Sequence, residues 1–312
     1  MIPSPSLCAL PAVLVEAFTE TPCGGNGAAV VLLDRPLPAP PLQAIARSLN
    51  QSETAFLWQH PSGAWLLRWF TPTCEVALCG HATLAATLAL GHWAQLLAGQ
   101  SLALYSRSGA LDVRLGGRAI TEPARASIVL PSSGLVPAEA GADLLAYLHQ
   151  HLGARPEAYW QSPLGYRVVL LAADAPLAAA HLPVEGMPRA ERGGLVLMQP
   201  LEGGVAGSPP QVLGEPCDYQ LRFLAPGLGI PEDPVTGSAH ALVAPWWLER
   251  LGRTHTVGWQ CSHRPGGMRC EAVSSGMIRL TGAGHLLWDG TLQLGANGSS
   301  PSDPDAWSSL LG

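Results

Sequence analysis

Glu53 stands in a Ser52-Glu53-Thr54 run that enters an apolar, strand-like stretch holding Phe56 and Trp58. Desolvation penalises the charged form of a carboxylate, so partly apolar surroundings raise its pKa and poise it to take a proton from carbon and return it elsewhere. On the residues alone, an exposed strand glutamate is the commoner reading of such a position. Two glycine segments offer a seat for a substrate. Leu78-Cys79-Gly80-His81-Ala82-Thr83 leads into an apolar helix, and about 157 residues later Pro231-Glu232-Asp233-Pro234-Val235-Thr236-Gly237-Ser238-Ala239-His240 leads into another. Each puts small residues and a hydrogen-bonding side chain where unpaired backbone N–H groups at a helix start can face a ligand. Two such starts aimed into one cleft would hold a small anion such as a carboxylate.

The individual residues admit more than one role. Gly80, His81 and Gly237 would present backbone N–H groups to a carboxylate, and His81 adds an imidazole. Asp233 precedes Pro234, which biases its backbone toward an extended shape just before the helix; on the residues alone a capping or turn aspartate is an even reading. Ser238 caps the helix or lines the site, and both roles can hold together. Cys79, immediately before Gly80, is a small buried hydrophobe or a thiol whose pKa the helix start lowers. Cys74, Cys79 and His81, or Cys261 and His263, fit no standard zinc spacing, so no metal is expected. With no Rossmann fingerprint, Walker loop or lysine in a cofactor setting, proton transfer without a cofactor is the consistent reading.

These residues need elements to bring them together. Residues 12–18 and 28–33 are rich in Val, Leu and Ala around Cys23-Gly24-Gly25-Asn26-Gly27. That reads as a β-hairpin, and the strand after the turn excludes a phosphate cradle. Residues 41–49 have helical spacing, with Leu42, Ile45, Ala46 and Leu49 on one face. Residues 52–58 and 64–70 read as paired strands, 101–115 as two more broken at Ser108-Gly109, and 116–125 as a crossover. The stretch 81–94 is apolar nearly all round, the mark of a helix buried on every side by a surrounding sheet. A strand at 126–130, a helix at 142–152 and strands at 167–172 and 194–199 follow. A second apolar helix covers 238–251, with Pro245 expected to bend it. Residues 297–305 are rich in Ser, Pro and Asp and read as frayed. The expected fold is therefore α+β and duplicated. Two similar lobes, 1–120 and 121–312, would each wrap a curled, mostly antiparallel sheet around a central apolar helix, the last strands packing back on the first lobe.

Composition narrows the function classes. The chain has 312 residues, 47% hydrophobic and only 13% charged, so some apolar surface is expected to be shared between lobes or between subunits, as in a homodimer. A net charge of -6 without any Lys/Arg run argues against a nucleic-acid partner. No apolar run approaches the roughly 20 residues of a membrane helix, and residues 7–15 lack the cationic flank of a leader, so no membrane partner is expected. Seven cysteines without a regular framework read as reduced, cytoplasmic thiols.

Several longer motifs share one pattern. They are Val15-Glu16-Ala17-Phe18-Thr19, Gly25-Asn26, Leu49-Asn50-Gln51-Ser52-Glu53-Thr54-Ala55-Phe56, residues 69–83 through Leu78-Cys79-Gly80-His81, Arg222-Phe223-Leu224-Ala225-Pro226, and residues 232–240. In this order the chain resembles the PhzF-like phenazine biosynthesis isomerases, within the diaminopimelate epimerase-like fold, from Val15 to near Gly290. The resemblance implies an active site between two lobes, a homodimer, Glu53 as the acid/base residue, and Asp233 and Ser238 in contact with a small carboxylate substrate. Gly27 stands where Pro is frequent, and Cys261-Ser262-His263-Arg264-Pro265-Gly266-Gly267-Met268-Arg269 replaces a more usual glycine-rich segment. These departures bear on the substrate, a dihydro-hydroxyanthranilate in the phenazine branch, rather than on the fold; Arg264 and Arg269 remain candidates for reaching an anion. Related epimerases and racemases use one thiol per lobe. Here Cys79 would be the first, the second position falls near Asp233, and no cysteine lies between Cys217 and Cys261. An epimerase using Cys79 with Asp233, and a binding protein for small acids, are the alternatives.

Overall fold

The computed structural model describes residues 8–117, 123–201, 209–294 and 302–312. Its first half builds a ring of strands. β1 (Cys8–Ala17) and β2 (Asn26–Leu32) form the antiparallel hairpin, with Ala17 opposite Asn26. α1 (Ala39–Leu49) buries Leu42, Ile45 and Ala46 and ends at Asn50 in the left-handed conformation. It carries the chain to β3 (Glu53–Gln59), parallel to β2. β4 (Trp65–Phe70), β5 (Glu75–Val76), α2 (Gly80–His92), β6 (Ser101–Ser106), β7 (Gly109–Leu115) and β8 (Ala124–Pro131) follow.

The second half adds β9 (Val136–Pro137), α3 (Ala142–Leu152), β10 (Ala158–Gln161), β11 (Arg167–Leu170) and β12 (Leu195–Pro200). A separate hairpin of β13 (Gln211–Val212) and β14 (Glu215–Pro216) precedes β15 (Tyr219–Ala225) and β16 (Ile230–Asp233). α4 (Gly237–Leu251), β17 (His255–Gln260), β18 (Gly266–Ser274) and the long β19 (Met277–Leu294) come last, before the short helix α5 (Pro304–Ser308).

Strand pairing closes the first half. β1, β2, β3, β4, β6, β7, β8 and β19 hydrogen-bond in that order, and β19 returns to β1. α2 lies inside, with every residue from His81 to Leu90 buried. A helix apolar on all sides finds its burial only within such a closed wall. Its two threonines return their hydroxyls to carbonyls one turn back, Thr83 to Cys79 and Thr87 to Thr83, so they bring no unpaired hydroxyl into the core. In the second half β9, β10, β11, β12, β15, β17, β18 and β19 pair in series. α4 packs against β17, β18, β19 and β8, and runs on through Pro245.

The molecule is α+β, mostly strand with few helices. The strands outside the β13–β14 hairpin form one continuous sheet rather than one per half, because β19 belongs to both series. The expected boundary at residues 120 and 121, and residues 118–122 of the expected crossover, lie outside the described residues, as do 297–301. For residues 302–305, the described part of that span, the frayed reading is corrected. Asp303 caps α5, Trp307 is fully buried, and its indole N–H donates to the Leu37 carbonyl at 2.8 Å. One large aromatic anchors a segment whose composition alone reads as loose.

Candidate active site

The helices α2 and α4 meet start to start. A Cβ built on Gly80 would lie 3.4 Å from the Gly237 Cα, and one on Gly237 would lie 3.5 Å from the Gly80 Cα. Neither glycine has positive φ, and only Gly80 is tight, with Leu130 Cδ1 3.2 Å from a Cβ built there. Cys79 and Thr236 are the N-cap residues, and neither side chain caps its own helix, so the first-turn N–H groups have no side-chain acceptor there. His81 and Ser238 occupy matching positions one residue inside the glycines. The structural counterpart of Cys79 is therefore Thr236, three residues beyond Asp233, near which the second position was expected. Each helix is aimed by a bidentate ion pair placed five residues before its glycine. Arg68 grips Glu75 at 2.8 and 2.9 Å, and Arg222 grips Glu232 at 2.7 and 2.8 Å.

Asn26 joins the residues around these helix starts. Gly25 has φ +62° and a Cβ there would stand 2.3 Å from the Ala17 carbonyl, so only glycine makes this turn and sends Asn26 inward. The Asn26 amide donates to Asp233 Oδ1 at 2.8 Å and to the Val235 carbonyl at 3.0 Å, and its oxygen accepts from Ser52 Oγ at 3.1 Å. Thr236 donates to Asp233 Oδ2 at 2.5 Å. Gln260 donates to the Asp233 carbonyl at 2.6 Å and accepts from the Thr236 N–H at 2.8 Å. Tyr166 OH lies 3.2 Å from Ser238 Oγ. Sequence reasoning named Asp233 and Ser238 and missed Ser52, Thr236, Gln260, Tyr166 and the site role of Asn26. The Gly25-Asn26 pair carried a signal; Tyr166 and Gln260 sit in segments with no pattern to mark them.

Glu53 and His81 form the electrostatic centre. His81 Nε2 is 3.0 Å from Glu53 Oε2, with the glutamate side chain 18% exposed and the histidine buried. Burial pushes the Glu53 carboxyl up, but the His81 charge and hydrogen bonds from His81, Ser52 and Cys79 outweigh it, so its pKa lies below the ordinary 4.5. The expectation that burial alone would raise it fails because a cation stands in contact. Burial disfavours the imidazolium, yet Cys79 and Glu53 lift the His81 pKa well above 6.5. Asp233 is the carboxyl that burial drives upward, only partly offset by His81 and by the Thr236 and Asn26 hydrogen bonds. Burial and the Glu53 charge also raise the Cys79 thiol, against the lowering expected from a helix start.

The cationic candidates are engaged elsewhere. Arg264 pairs with Glu16 and reaches the Gly24 carbonyl, and Arg269 pairs with Glu271 at 3.2 Å and Glu215 at 3.7 Å. Glu53, Cys79 and His81 offer three ligand atoms within 4.8 Å of one another. A carboxylate, a thiol and an imidazole are groups zinc accepts, a cluster that the Cys74/Cys79/His81 spacing does not display.

A family model described as phenazine biosynthesis-like protein matches residues 15–290. An uncharacterized isomerase of Pseudomonas aeruginosa is 36% identical, covering 88% of this chain and 94% of its own. A human phenazine biosynthesis-like domain-containing protein is 33% identical over 91% of this chain and 99% of its own. A crystal structure of a PhzF family protein from Enterococcus faecalis superposes with a TM-score of 0.76 at 29% identity, over 92% of this chain and all of that one. A hydroxyproline epimerase from Agrobacterium vitis shares the fold, with a TM-score of 0.54 at 9% identity over 97% of this chain and 98% of its own. The chain belongs to the phenazine biosynthesis-like protein family.

Proposed function

We propose that this protein is an isomerase that moves a proton between carbons of a small carboxylate, with Glu53 as the group that takes it. The observation that carries the reading is the position of the Glu53 carboxylate, 3.0 Å from His81 Nε2 at the start of α2. A held carboxylate is already the base form at neutral pH, and its low basicity is offset if the carbanion is stabilised as it forms. The N–H groups at Gly80-His81 and Gly237-Ser238 supply that stabilisation for the substrate carboxylate and for charge spreading into it. Asp233, held by Asn26 and Thr236 just before α4, would face a polar substituent. No step calls on a cofactor. The isomerase names of relatives agree with this class.

Deuterium incorporation from heavy water, followed by NMR, tests the assignment. With trans-2,3-dihydro-3-hydroxyanthranilate as probe, wild type exchanges and Glu53→Gln does not; equal exchange by both removes Glu53 from the role. We also propose two similar lobes, 1–120 and 121–312, and a cytoplasmic homodimer. Leu286, Leu287 and Trp288 are 42%, 38% and 43% exposed in a row on β19, an apolar strip a second copy would cover, and the six described thiols outside position 8 are free. A light-scattering mass of one 32.6 kDa chain overturns the dimer, and fractionation outside the cytoplasm overturns the location.

A further inference from the structure

The start of α2 carries an imidazole, and the matching position on α4 carries a hydroxyl with a second hydroxyl upon it. Ser238 is half-buried between the buried Gly237 and Ala239, and its Oγ lies 3.2 Å from the Tyr166 hydroxyl. Among the described residues, each of these hydroxyls has the other as its one hydrogen-bond partner. Two hydroxyls bring two hydrogens and their mutual bond uses one, so one is left for a third group. The phenol is the stronger acid and the better donor, which makes Ser238 the acceptor and leaves the serine hydrogen unspent. Tyr166 is seated by packing that its hydroxyl does not need. Its ring lies 4.8 Å from that of Phe223 on β15, tilted by 55°. Gly194, at φ +146°, clears the room: a Cβ there would stand 2.7 Å from Tyr166 Cδ1 and 3.0 Å from the Phe223 ring. The Tyr166 carbonyl accepts from the Ser162 N–H at 3.0 Å, closing the turn that leads into β11. Burial raises the phenol pKa above the ordinary 10, only partly offset by the Ser238 hydrogen bond, so the hydroxyl keeps its hydrogen.

We propose that Tyr166 is a positioning residue for substrate recognition: it donates to Ser238 and so turns the serine hydrogen, together with the Gly237 and Ser238 N–H groups, onto the substrate carboxylate. The inference rests on the carboxylate seat of the isomerase reading above and adds a side chain that neither helix start contains. The two starts differ in chemistry. At α2 the His81 imidazole stands among Asn26, Ser52, Glu53 and Cys79. At α4 the side-chain donor is a neutral hydroxyl whose direction one phenol sets. Such a donor discriminates by geometry. An anionic oxygen at the end of the O–H is held by a charge-assisted hydrogen bond, whereas a ligand with a poorer acceptor there gains less from the same hydrogen.

The test reads binding by calorimetry, with benzoate as the carboxylate probe and benzamide as its neutral counterpart of similar shape. Tyr166→Phe removes the hydroxyl and keeps the ring against Phe223 and Gly194. Its benzoate dissociation constant should rise about tenfold, the effect of losing one directed hydrogen bond to a charged group, while that of benzamide changes by no more than about twofold. A loosened fold would weaken both ligands alike, so equal losses overturn the proposal, as does an unmoved benzoate constant or a wild type that binds no benzoate. Ser238→Ala should lose a similar factor, and adding Tyr166→Phe to it should cost nothing more, because the phenol acts through the serine; a full second loss in the double variant overturns the positioning role. Deuterium exchange by Glu53→Gln reads the underlying reaction separately. If Glu53→Gln abolishes exchange while benzoate binding is unmoved in Tyr166→Phe, this inference alone fails; if Glu53→Gln still exchanges, the isomerase reading fails whatever the binding shows.

Discussion

The contact between Gly80 and Gly237 can be tested by filling it. A Cβ on Gly80 would stand 3.2 Å from Leu130 Cδ1 and 3.4 Å from the Gly237 Cα, while one on Gly237 would meet nothing closer than 3.4 Å. Gly80→Ala therefore asks the Leu130 methyl to give by a few tenths of an ångström, whereas Gly237→Ala makes ordinary contacts. Alanine in a helix gains up to about 1 kcal/mol over glycine, less at the first turn. Gly237→Ala is expected neutral or slightly stabilising, and Gly80→Ala neutral to about 1 kcal/mol destabilising once the overpacking is counted. In the double variant each new methyl points at the other's Cα, so the two effects should fail to add by about 1–3 kcal/mol. Urea unfolding of the four proteins measures this coupling, and deuterium exchange measures the cost to the site, which the double variant should lose. Additivity within about 0.5 kcal/mol would mean that the helix starts do not touch and would refute the reasoning.

Two further outcomes follow from the site. Glu53 has a lowered pKa, so its share of stability is present above the ordinary 4.5 and is lost as pH falls through its folded value; His81 has a raised pKa, so its share is complete below 6.5 and is lost as pH rises through its folded value. In His81→Asn burial dominates Glu53, so the acid limb of kcat/KM should move to higher pH, with an unmoved limb counting against the ion pair. Added zinc should inhibit by occupying Glu53, Cys79 and His81. Dialysis against a chelator should leave turnover intact, Cys79→Ala should weaken the inhibition, and full inhibition of that variant would place the ion elsewhere.

What the chain disclosed in advance was local. Glycines at two helix starts, an all-round apolar helix and a glutamate entering a strand are patterns a few residues wide; the structure puts the two starts in contact and Glu53 beside His81. Contacts across the chain were not readable that way. Asn26 and Asp233 meet over a separation of 207 residues, and nothing near either announces the other. The sign of the Glu53 shift went astray for the same reason: its apolar neighbours are adjacent in sequence, whereas the cation that reverses their effect is His81, delivered by another element. The single continuous sheet was hidden because β19 is one strand with three partners, β18 and β8 at its start and β1 at its end.

That arrangement bears on how the chain is made. The wall around α2 stays open by one stave until the final strand has been synthesised, so a nascent chain emerging from the ribosome carries a greasy helix without its last cover for most of translation. Such late, long-distance closure is slow and exposes apolar surface to other chains. Protease resistance of α2 in stalled nascent chains should therefore appear only after β19 has cleared the exit tunnel, and resistance gained earlier would show that the open wall already suffices.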